Sequence, residues 1–390
     1  MRSRSLRDRR HYSRHSSERS SKSFDSQASA ESEIIHFDWY KGQYMNRERY
    51  EVLEKLGDGT FGRVLLAHDS KYDDTVAIKV IRDIDRYVEN AQIEAKILRR
   101  LFDDRENRDH PGRKSVVKLF DTFFHRDYLY CLVFEPLGMS LLDIIKRNEY
   151  AGMYMSDIEL IAHACLEAID FCHSCNLVHT DIKPENILFV SSRIDLSSPP
   201  SNSAKKPRKY YRPRLSSRAG ASVKLIDFGN GTFPEDPPAQ IINTRQYRSP
   251  EVLLDLGWDK SSDVWSLACV LAEIYLGEVL FETHDDSEHM ALIEKMVRPF
   301  PQQMLHAASR GASKRHLVHG PDGWSVDFPK PPVSEKSVMM VRDAPHLNKL
   351  FDCYRDFERL ICGMLEIESR DRLTTRDALR HPFFNSSRHY

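Results

Sequence analysis

An aspartate, a lysine, an asparagine and a second aspartate follow one another in this chain in an order that suits phosphoryl transfer. Asp181, Lys183 and Asn186 lie in His179-Thr180-Asp181-Ile182-Lys183-Pro184-Glu185-Asn186, which runs into the apolar stretch ILFV, and Asp227 opens Asp227-Phe228-Gly229 after the apolar stretch VKLI. Transfer of a phosphoryl group to a hydroxyl needs a carboxylate at the attacking oxygen, positive charge at the group in flight and oxygen ligands for Mg²⁺. Asp181 supplies the first, Lys183 the second, and Asn186 with Asp227 the third.

Two further motifs stand upstream. Gly57-Asp58-Gly59-Thr60-Phe61-Gly62-Arg63-Val64 lies between two strand-like stretches, so its glycines bend a hairpin whose backbone can approach phosphates; a dinucleotide fold would place them at the start of a helix instead. Val76-Ala77-Ile78-Lys79 ends an apolar strand in one ammonium, and Glu94 sits in the helical pattern IEAKIL. Taken alone, the first also fits an unliganded hairpin and the second a snorkelling surface lysine. Five elements in the order glycine loop, strand lysine, helix glutamate, catalytic loop and Asp-Phe-Gly leave chance little room.

These groups need a scaffold. From Tyr50 to about Phe134, runs such as VLLAH and TVAIKVI alternate with turn signals around one helical pattern, NAQIEAKILRRL, which predicts a small sheet carrying one helix. After Gly138 the period becomes helical, as in DIELIAHACLEAIDFCH and SSDVWSLACVLAEIYL. The fold class expected is α+β and bilobed, with a β-rich N-lobe over about 50–136 and a larger helical C-lobe over about 137–384. Residues 1–32, rich in Arg and Ser, read as a disordered tail, 33–49 as a lead-in, 191–222 as a basic surface insertion and 385–390 as a C-terminal tail.

The sequence from 50 to 384 resembles the eukaryotic protein kinases. Ser249-Pro250-Glu251 stands where that family has Ala-Pro-Glu, Asp263-Val264-Trp265 matches the helix that anchors the catalytic loop, and Arg372 matches the arginine that pairs with Glu251. Thr244-Arg245-Gln246-Tyr247-Arg248 is similar to the group holding the cyclin-dependent, MAP and CDC-like kinases. LVHTDIKPENILFV, with Thr180 for the usual Arg, narrows this to the CDC-like (LAMMER) kinases and the SR-protein kinases. Thr283-His284-Asp285-Asp286-Ser287-Glu288-His289-Met290-Ala291-Leu292-Ile293-Glu294-Lys295-Met296 resembles the LAMMER phrase THDSKEHLAMMERIL. The name-giving residues are changed to Ala291-Leu292-Ile293-Glu294-Lys295, keeping apolar and charged positions.

The resemblance implies that ATP lies under the loop Leu56, Gly57, Asp58, Gly59, Thr60, Phe61, Gly62 and Val64. Ala77 and Leu188 would sandwich the adenine with Leu56, Phe134 would be the gatekeeper, and Glu135 and Leu137 would offer hinge backbone to the adenine edge. Lys79, held by Glu94, would bind phosphates, Asn186 and Asp227 would ligate Mg²⁺, and Asp181 and Lys183 would act on the acceptor and the transferred group. Glu185 would bind an arginine ahead of the phosphoacceptor, with Arg245 and Arg248 also assigned to substrate. The implied substrates are the Ser and Thr of Arg/Ser-rich proteins such as SR splicing factors, with tyrosine autophosphorylation a further family trait, and the implied setting is the nucleus. A scaffold that docks SR proteins without turnover, or an SR-protein-kinase-like enzyme, is the alternative. Because Thr180 replaces the arginine that pairs with an activating phosphate, activity without an upstream kinase is expected.

Charge distribution fits basic substrates or, equally, a solvated acidic surface with no partner. The net charge is 57 minus 58, or −1, yet residues 1–22 carry +6 and 191–222 carry +7, which leaves −14 for the remainder. Seven scattered cysteines point to a reducing compartment, and the lone Cys172-x-x-Cys175 pair reads as structural and reduced. No run of eighteen apolar residues occurs, so no membrane segment is expected. The cluster Lys205-Lys206-Pro207-Arg208-Lys209 fits an import signal or a solvated loop and lacks the aromatic platform of an RNA-binding module, so no direct nucleic-acid binding is expected. A monomer is expected.

Overall fold

In the computed structural model the body of the chain, Trp39–Tyr390, forms one compact unit. The described residues are 37–59, 61–194, 196–197, 214–215, 222–236, 241–351 and 354–385. The Arg/Ser tail, Thr60, most of the basic insertion and residues 386–390 lie outside them.

The first part is an antiparallel sheet built from β1 (Tyr44–Met45), β2 (Tyr50–Asp58), β3 (Gly62–Asp69) and β4 (Asp74–Ile81), then α1 (Asp85–Asp103), then β5 (Leu119–His125) and β6 (Leu129–Phe134). The strand order is β1-β2-β3-β4-β6-β5. β6 is buried along its whole length and β4 along most of it, which matches their continuous apolar runs, whereas β5 closes the edge with only partly buried side chains. β1 falls in the lead-in, where two residues are too few to show a period. On α1 the buried face is Ala91, Glu94, Ala95, Ile97, Leu98 and Leu101, so one carboxylate is carried inward among aliphatic neighbours.

Beyond the hinge come α2 (Leu141–Arg147), α3 (Met155–Ser174), β7 (Ile187–Phe189), the short pair β8 (Leu196–Ser197) and β9 (Arg214–Leu215), and β10 (Val223–Leu225). There follow α4 (Pro250–Leu253), α5 (Ser261–Leu276), α6 (Asp286–Met296), α7 (Gln302–Ala308), the hairpin β11 (Leu317–Gly320) and β12 (Gly323–Val326), α8 (Glu335–Asp343), α9 (Leu347–Leu350), α10 (Arg355–Met364) and α11 (Thr375–Leu379). α5 is buried on all sides from Ser262 to Tyr275, as a helix apolar all round must be. It ends at Gly277 in the left-handed region at φ 82°, where a Cβ would lie 2.0 Å from the Tyr150 carbonyl oxygen, so only glycine fits. Sheet and helices thus form the α+β bilobed architecture expected from the sequence, with β7 and β10 paired at the start of the second lobe.

Candidate active site

The glycine motif is a hairpin. Gly57 pairs with Val64 and Asp58 with Arg63 across β2 and β3, and the turn closes through the Gly59 amide donating to the Gly62 carbonyl at 2.8 Å. Gly62 is fixed by close approach, since a Cβ there would sit 2.2 Å from the Val80 carbonyl oxygen. Asp58 accepts from Arg63 and Lys55 at 2.6 and 2.8 Å, which holds its carboxyl down at about 2. Phe61 at the tip packs edge-on against Tyr87 of α1, 5.3 Å between centroids.

Under this loop, Lys79 of β4 extends its Nζ to Glu94 Oε2 at 2.8 Å and stands 4.0 Å from Asp227 Oδ1. Burial acts to lower the Lys79 pKa, but the charges of Glu94 and Asp227 outweigh it and the pKa is raised, so the ammonium stays charged. Ala77 lies opposite Phe134 in the β4/β6 register, and both are buried, while Leu56, Val64, Leu137 and Leu188 keep partial or full exposure. The Glu135 amide donates to the Lys118 carbonyl at 3.2 Å. Among the described residues the Glu135 carbonyl and the Leu137 amide make no protein hydrogen bond, which leaves one acceptor and one donor for an adenine edge.

The catalytic loop hangs from α5. Asp263, fully buried, accepts from the amides of His179 and Thr180 at 2.8 and 2.9 Å and from His173 Nε2 at 3.0 Å. Three donors satisfy one buried carboxylate and fix the backbone just before Asp181. Thr180 and Asp227 both adopt left-handed conformations, at φ 69° and 63°; for a β-branched residue this is strain that the surrounding hydrogen bonds hold. Lys183 Nζ reaches Asp181 Oδ2 at 2.7 Å, and Thr244 Oγ1 donates to Asp181 Oδ1 at 2.8 Å. Burial opposes ionisation of Asp181, but these partners prevail and its pKa lies below the usual carboxylate value. Such a carboxylate is ionised at neutral pH and acts first as an acceptor that orients a hydroxyl.

Asn186 donates through Nδ2 to the Asp181 carbonyl at 2.9 Å, which turns its amide oxygen away from that loop. That oxygen and the Asp227 carboxylate form a hard, two-residue oxygen set, which fits a divalent cation completed by phosphate oxygens and water.

Comparison with known proteins agrees with this geometry. The model of the protein kinase domain matches residues 50–384. The serine/threonine-protein kinase AFC3 of Arabidopsis thaliana is 38% identical over 344 residues, covering 87% of this chain and 82% of the relative. The dual specificity protein kinase CLK2 of Mus musculus is 35% identical, covering 90% of this chain and 66% of the relative. The chain belongs to the protein kinase family, in its CDC-like (LAMMER) branch. Doa of Drosophila melanogaster, a serine/threonine-protein kinase, is 35% identical, and this chain spans 40% of its length. The crystal structure of the kinase domain PF14_0431 superposes with a TM-score of 0.81 at 38% identity, covering 90% of this chain and all of that one. Kinases of this family use ATP together with a divalent cation, and the chain is a protein kinase.

Where this kinase departs from its family, the structure shows what takes over. Thr180, in place of arginine, donates through Oγ1 to the Asn230 carbonyl at 2.8 Å and accepts at its own carbonyl from Asn243 N and Nδ2, each at 2.9 Å. Neutral hydrogen bonds therefore tie the catalytic loop to both ends of the segment between Asn230 and Asn243. Arg245 and Arg248, assigned to substrate from the sequence, both turn to Asp286 at the start of α6; Arg248 lies 3.3 Å from it. Asp286 stands in the LAMMER-like phrase where the family has serine, so this kinase supplies the counter-charge itself. The altered helix otherwise buries His289 to Ile293, as its apolar pattern requires. Ser249, where the family has alanine, carries a buried hydroxyl with no partner among the described residues.

One buried polar pair has no counterpart in the sequence motifs. Tyr247 Oη donates to Glu273 Oε2 at 2.7 Å inside the C-lobe. Burial raises Glu273 to about 7, with the charge of Glu185 adding to the shift, and Glu185 acts on Tyr247 as well. Glu185 itself is exposed on the turn Pro184–Asn186 beside Asp181. A lone glutamate in SLACVLAEIYL was the available signal, because an acid in an otherwise apolar helix has to find a partner or a task. Glu251 and Arg372 meet as the resemblance implied, in a buried two-pronged pair at 2.8 and 2.8 Å. Cys172 and Cys175 are free thiols whose pKa values burial raises. Thr60 lies outside the described residues.

Proposed function

We propose that this kinase transfers the γ-phosphate of ATP to Ser and Thr in arginine/serine-rich proteins, SR splicing factors among them, and so acts on pre-mRNA splicing in the nucleus. The observation that carries this reading is the exposed Glu185 carboxylate on the turn Pro184–Asn186, next to the catalytic Asp181. An arginine side chain answers such a site better than lysine. Its planar fork can bond two carboxylate oxygens at once, whereas an ammonium binds as a point charge. The excess acid outside the two basic segments, −14 against +6 and +7, would favour Arg-rich chains over acidic ones.

In this reaction Lys79, kept in place by Glu94, holds the nucleotide phosphates, and Asp181 accepts the hydrogen bond of the incoming hydroxyl and receives its proton as the new bond forms. Lys183 balances charge on the phosphoryl group, and Thr244 fixes the second oxygen of Asp181. Mg²⁺, held by Asn186 and Asp227, would neutralise the phosphate oxygens when bound. The test is a position-scanned peptide library phosphorylated by wild type and Glu185→Gln. The reading expects arginine selection near the acceptor to weaken about tenfold or more in kcat/KM, in line with one charge-assisted bond of roughly 1.5–3 kcal/mol. Unchanged arginine selection in Glu185→Gln would overturn it.

A further inference from the structure

Behind the hinge lies a cavity whose charge is opposite to that of the protein around it. It has a volume of about 480 Å³ and is lined by Arg108, His110, Arg113, Lys114, Lys118 and Lys224, with Asp109 the one acid on its wall. Phe102, Pro111 and Val116 make its apolar surface. Apart from the tail and the insertion the chain carries −14, so five Lys/Arg around one opening are out of keeping with their surroundings.

Some of these cations are already engaged. Lys224 pairs with Glu135 at 2.6 Å, and Lys114 stands 3.4 Å from Glu167. His110 accepts the Gly112 amide at Nδ1 and faces Asp170 through Nε2 at 3.1 Å, so it serves the turn. Others have no anion. Arg113 spends one nitrogen on the Phe102 carbonyl at 2.7 Å, and its Nη1 is buried with no partner among the described residues. Arg108 has no carboxylate partner among those residues; the Lys118 amide donates to Glu135 at 2.8 Å, while its ammonium has only the ring of Phe120 at 5.5 Å. Arg113 is held inward, its guanidinium 4.8 Å over the Phe102 ring, so an anion at the opening would meet the two exposed cations, Arg108 and Lys118.

We infer that this cavity docks the phosphoserine of Arg-Ser tracts already modified by the kinase, an inference that rests on the substrate reading above. A phosphate carries about −1.5 to −2 and three acceptor oxygens, the right complement for a guanidinium and an ammonium at an open surface. An unmodified Arg-Ser tract is cationic and gains nothing here. Once its serines are phosphorylated, each phosphate outweighs the neighbouring arginine and the tract becomes anionic. The kinase thus has two complementary surfaces: an acidic one at Glu185 for the tract still to be modified, and a basic one for the stretch already modified. A partly phosphorylated substrate protein held at both stays bound between transfers.

The test uses full-length Asp181→Asn protein made in bacteria, whose own tail receives no phosphate from itself, and a labelled Arg-Ser peptide with every serine phosphorylated, read by fluorescence anisotropy. Arg108→Glu with Lys118→Glu, both at exposed positions, is expected to weaken binding at least tenfold. Arg108→Gln with Lys118→Gln should weaken it less, and Glu185→Gln should leave it unchanged. In an otherwise wild-type background, the charge-reversed pair should keep kcat/KM for an unmodified Arg-Ser peptide and raise KM for a half-phosphorylated one severalfold. Equal binding by the charge-reversed protein would overturn the inference. So would loss of binding in Glu185→Gln, or a single-stranded RNA that displaces the peptide at lower concentration. If Arg-Ser peptides prove not to be substrates while the phosphopeptide still binds at Arg108 and Lys118, the substrate reading fails and the docking site stands.

Discussion

Replacing Asp286 by alanine should disable this kinase without touching any group that meets ATP. Asp286 carries both Arg245 and Arg248, which flank Tyr247 in the segment entering α4. Side-chain exposures of 34% for Arg245, 12% for Arg248 and 21% for Asp286 place the cluster between a surface pair and a buried one. Breaking a buried pair costs about 3–5 kcal/mol and an exposed one about 0–1, so this cluster is worth about 2 kcal/mol. Burial already pulls the Arg248 pKa down, so with Asp286 gone Arg248 is left beside the like charge of Arg245 with no acid to answer it. A 2 kcal/mol loss in holding residues 244–248 lowers the populated active arrangement about thirtyfold. Thr244, which fixes Asp181, goes with it. Steady-state phosphorylation of an Arg-Ser peptide should therefore show kcat/KM reduced by about one to one and a half orders of magnitude. The KM for ATP should stay within twofold, since Lys79, Glu94 and Asp227 are untouched. A peptide kcat/KM within twofold of wild type would refute the reasoning, as would an ATP KM that rose in parallel.

Other outcomes follow from the same geometry. Glu273, raised to about 7 by burial, holds a proton in the folded state that the unfolded chain loses near its ordinary value of 4.5, so its contribution to stability falls as pH rises between those values. Glu273→Gln should then be more stable than wild type above pH 7, by up to about 3 kcal/mol in chemical denaturation. Arg372→Lys cannot reproduce the two-pronged, fully buried pair with Glu251 and should lower stability by about 3 kcal/mol, read as a drop in melting temperature. Ser249→Ala removes a buried hydroxyl without a partner and should raise stability by about 1 kcal/mol with activity retained.

Much of the site was legible because phosphoryl transfer constrains residue types at short spacing. Asp181, Lys183 and Asn186 lie within one turn of chain, and the hydrogen bonds that join them in space are as local as their sequence. The glycine hairpin was legible for a similar reason, as strand, turn and strand occur in one continuous segment. What the sequence hid are partners brought together by helices far apart in the chain. Asp286 meets arginines about forty residues earlier because α6 packs beside α4, and no period or spacing encodes that. Glu273 lies in a stretch whose helical period says nothing of how much of the helix is covered; its burial follows from α5 being enclosed on every side. β1 and the β11/β12 hairpin are too short to carry a hydrophobic rhythm. The basic cavity gathers side chains from the end of α1, the following turn and β10, and the one carboxylate on its wall makes the local sequence look unremarkable.

The most direct measurement of the central claim is transfer of radiolabelled phosphate from ATP and Mg²⁺ by bacterially expressed full-length protein. An Arg-Ser peptide is compared with a charge-matched Lys-Ser peptide, and Asp181→Asn is the control. Bacterial expression removes upstream kinases, so the same assay reads whether the Thr180 and Asp286 arrangement suffices for activity. The account predicts transfer that prefers Arg-Ser by about tenfold or more and disappears in the control. Equal transfer to both peptides would contradict the arginine site, and no transfer to either, with ATP still bound, would contradict a kinase that is active as made.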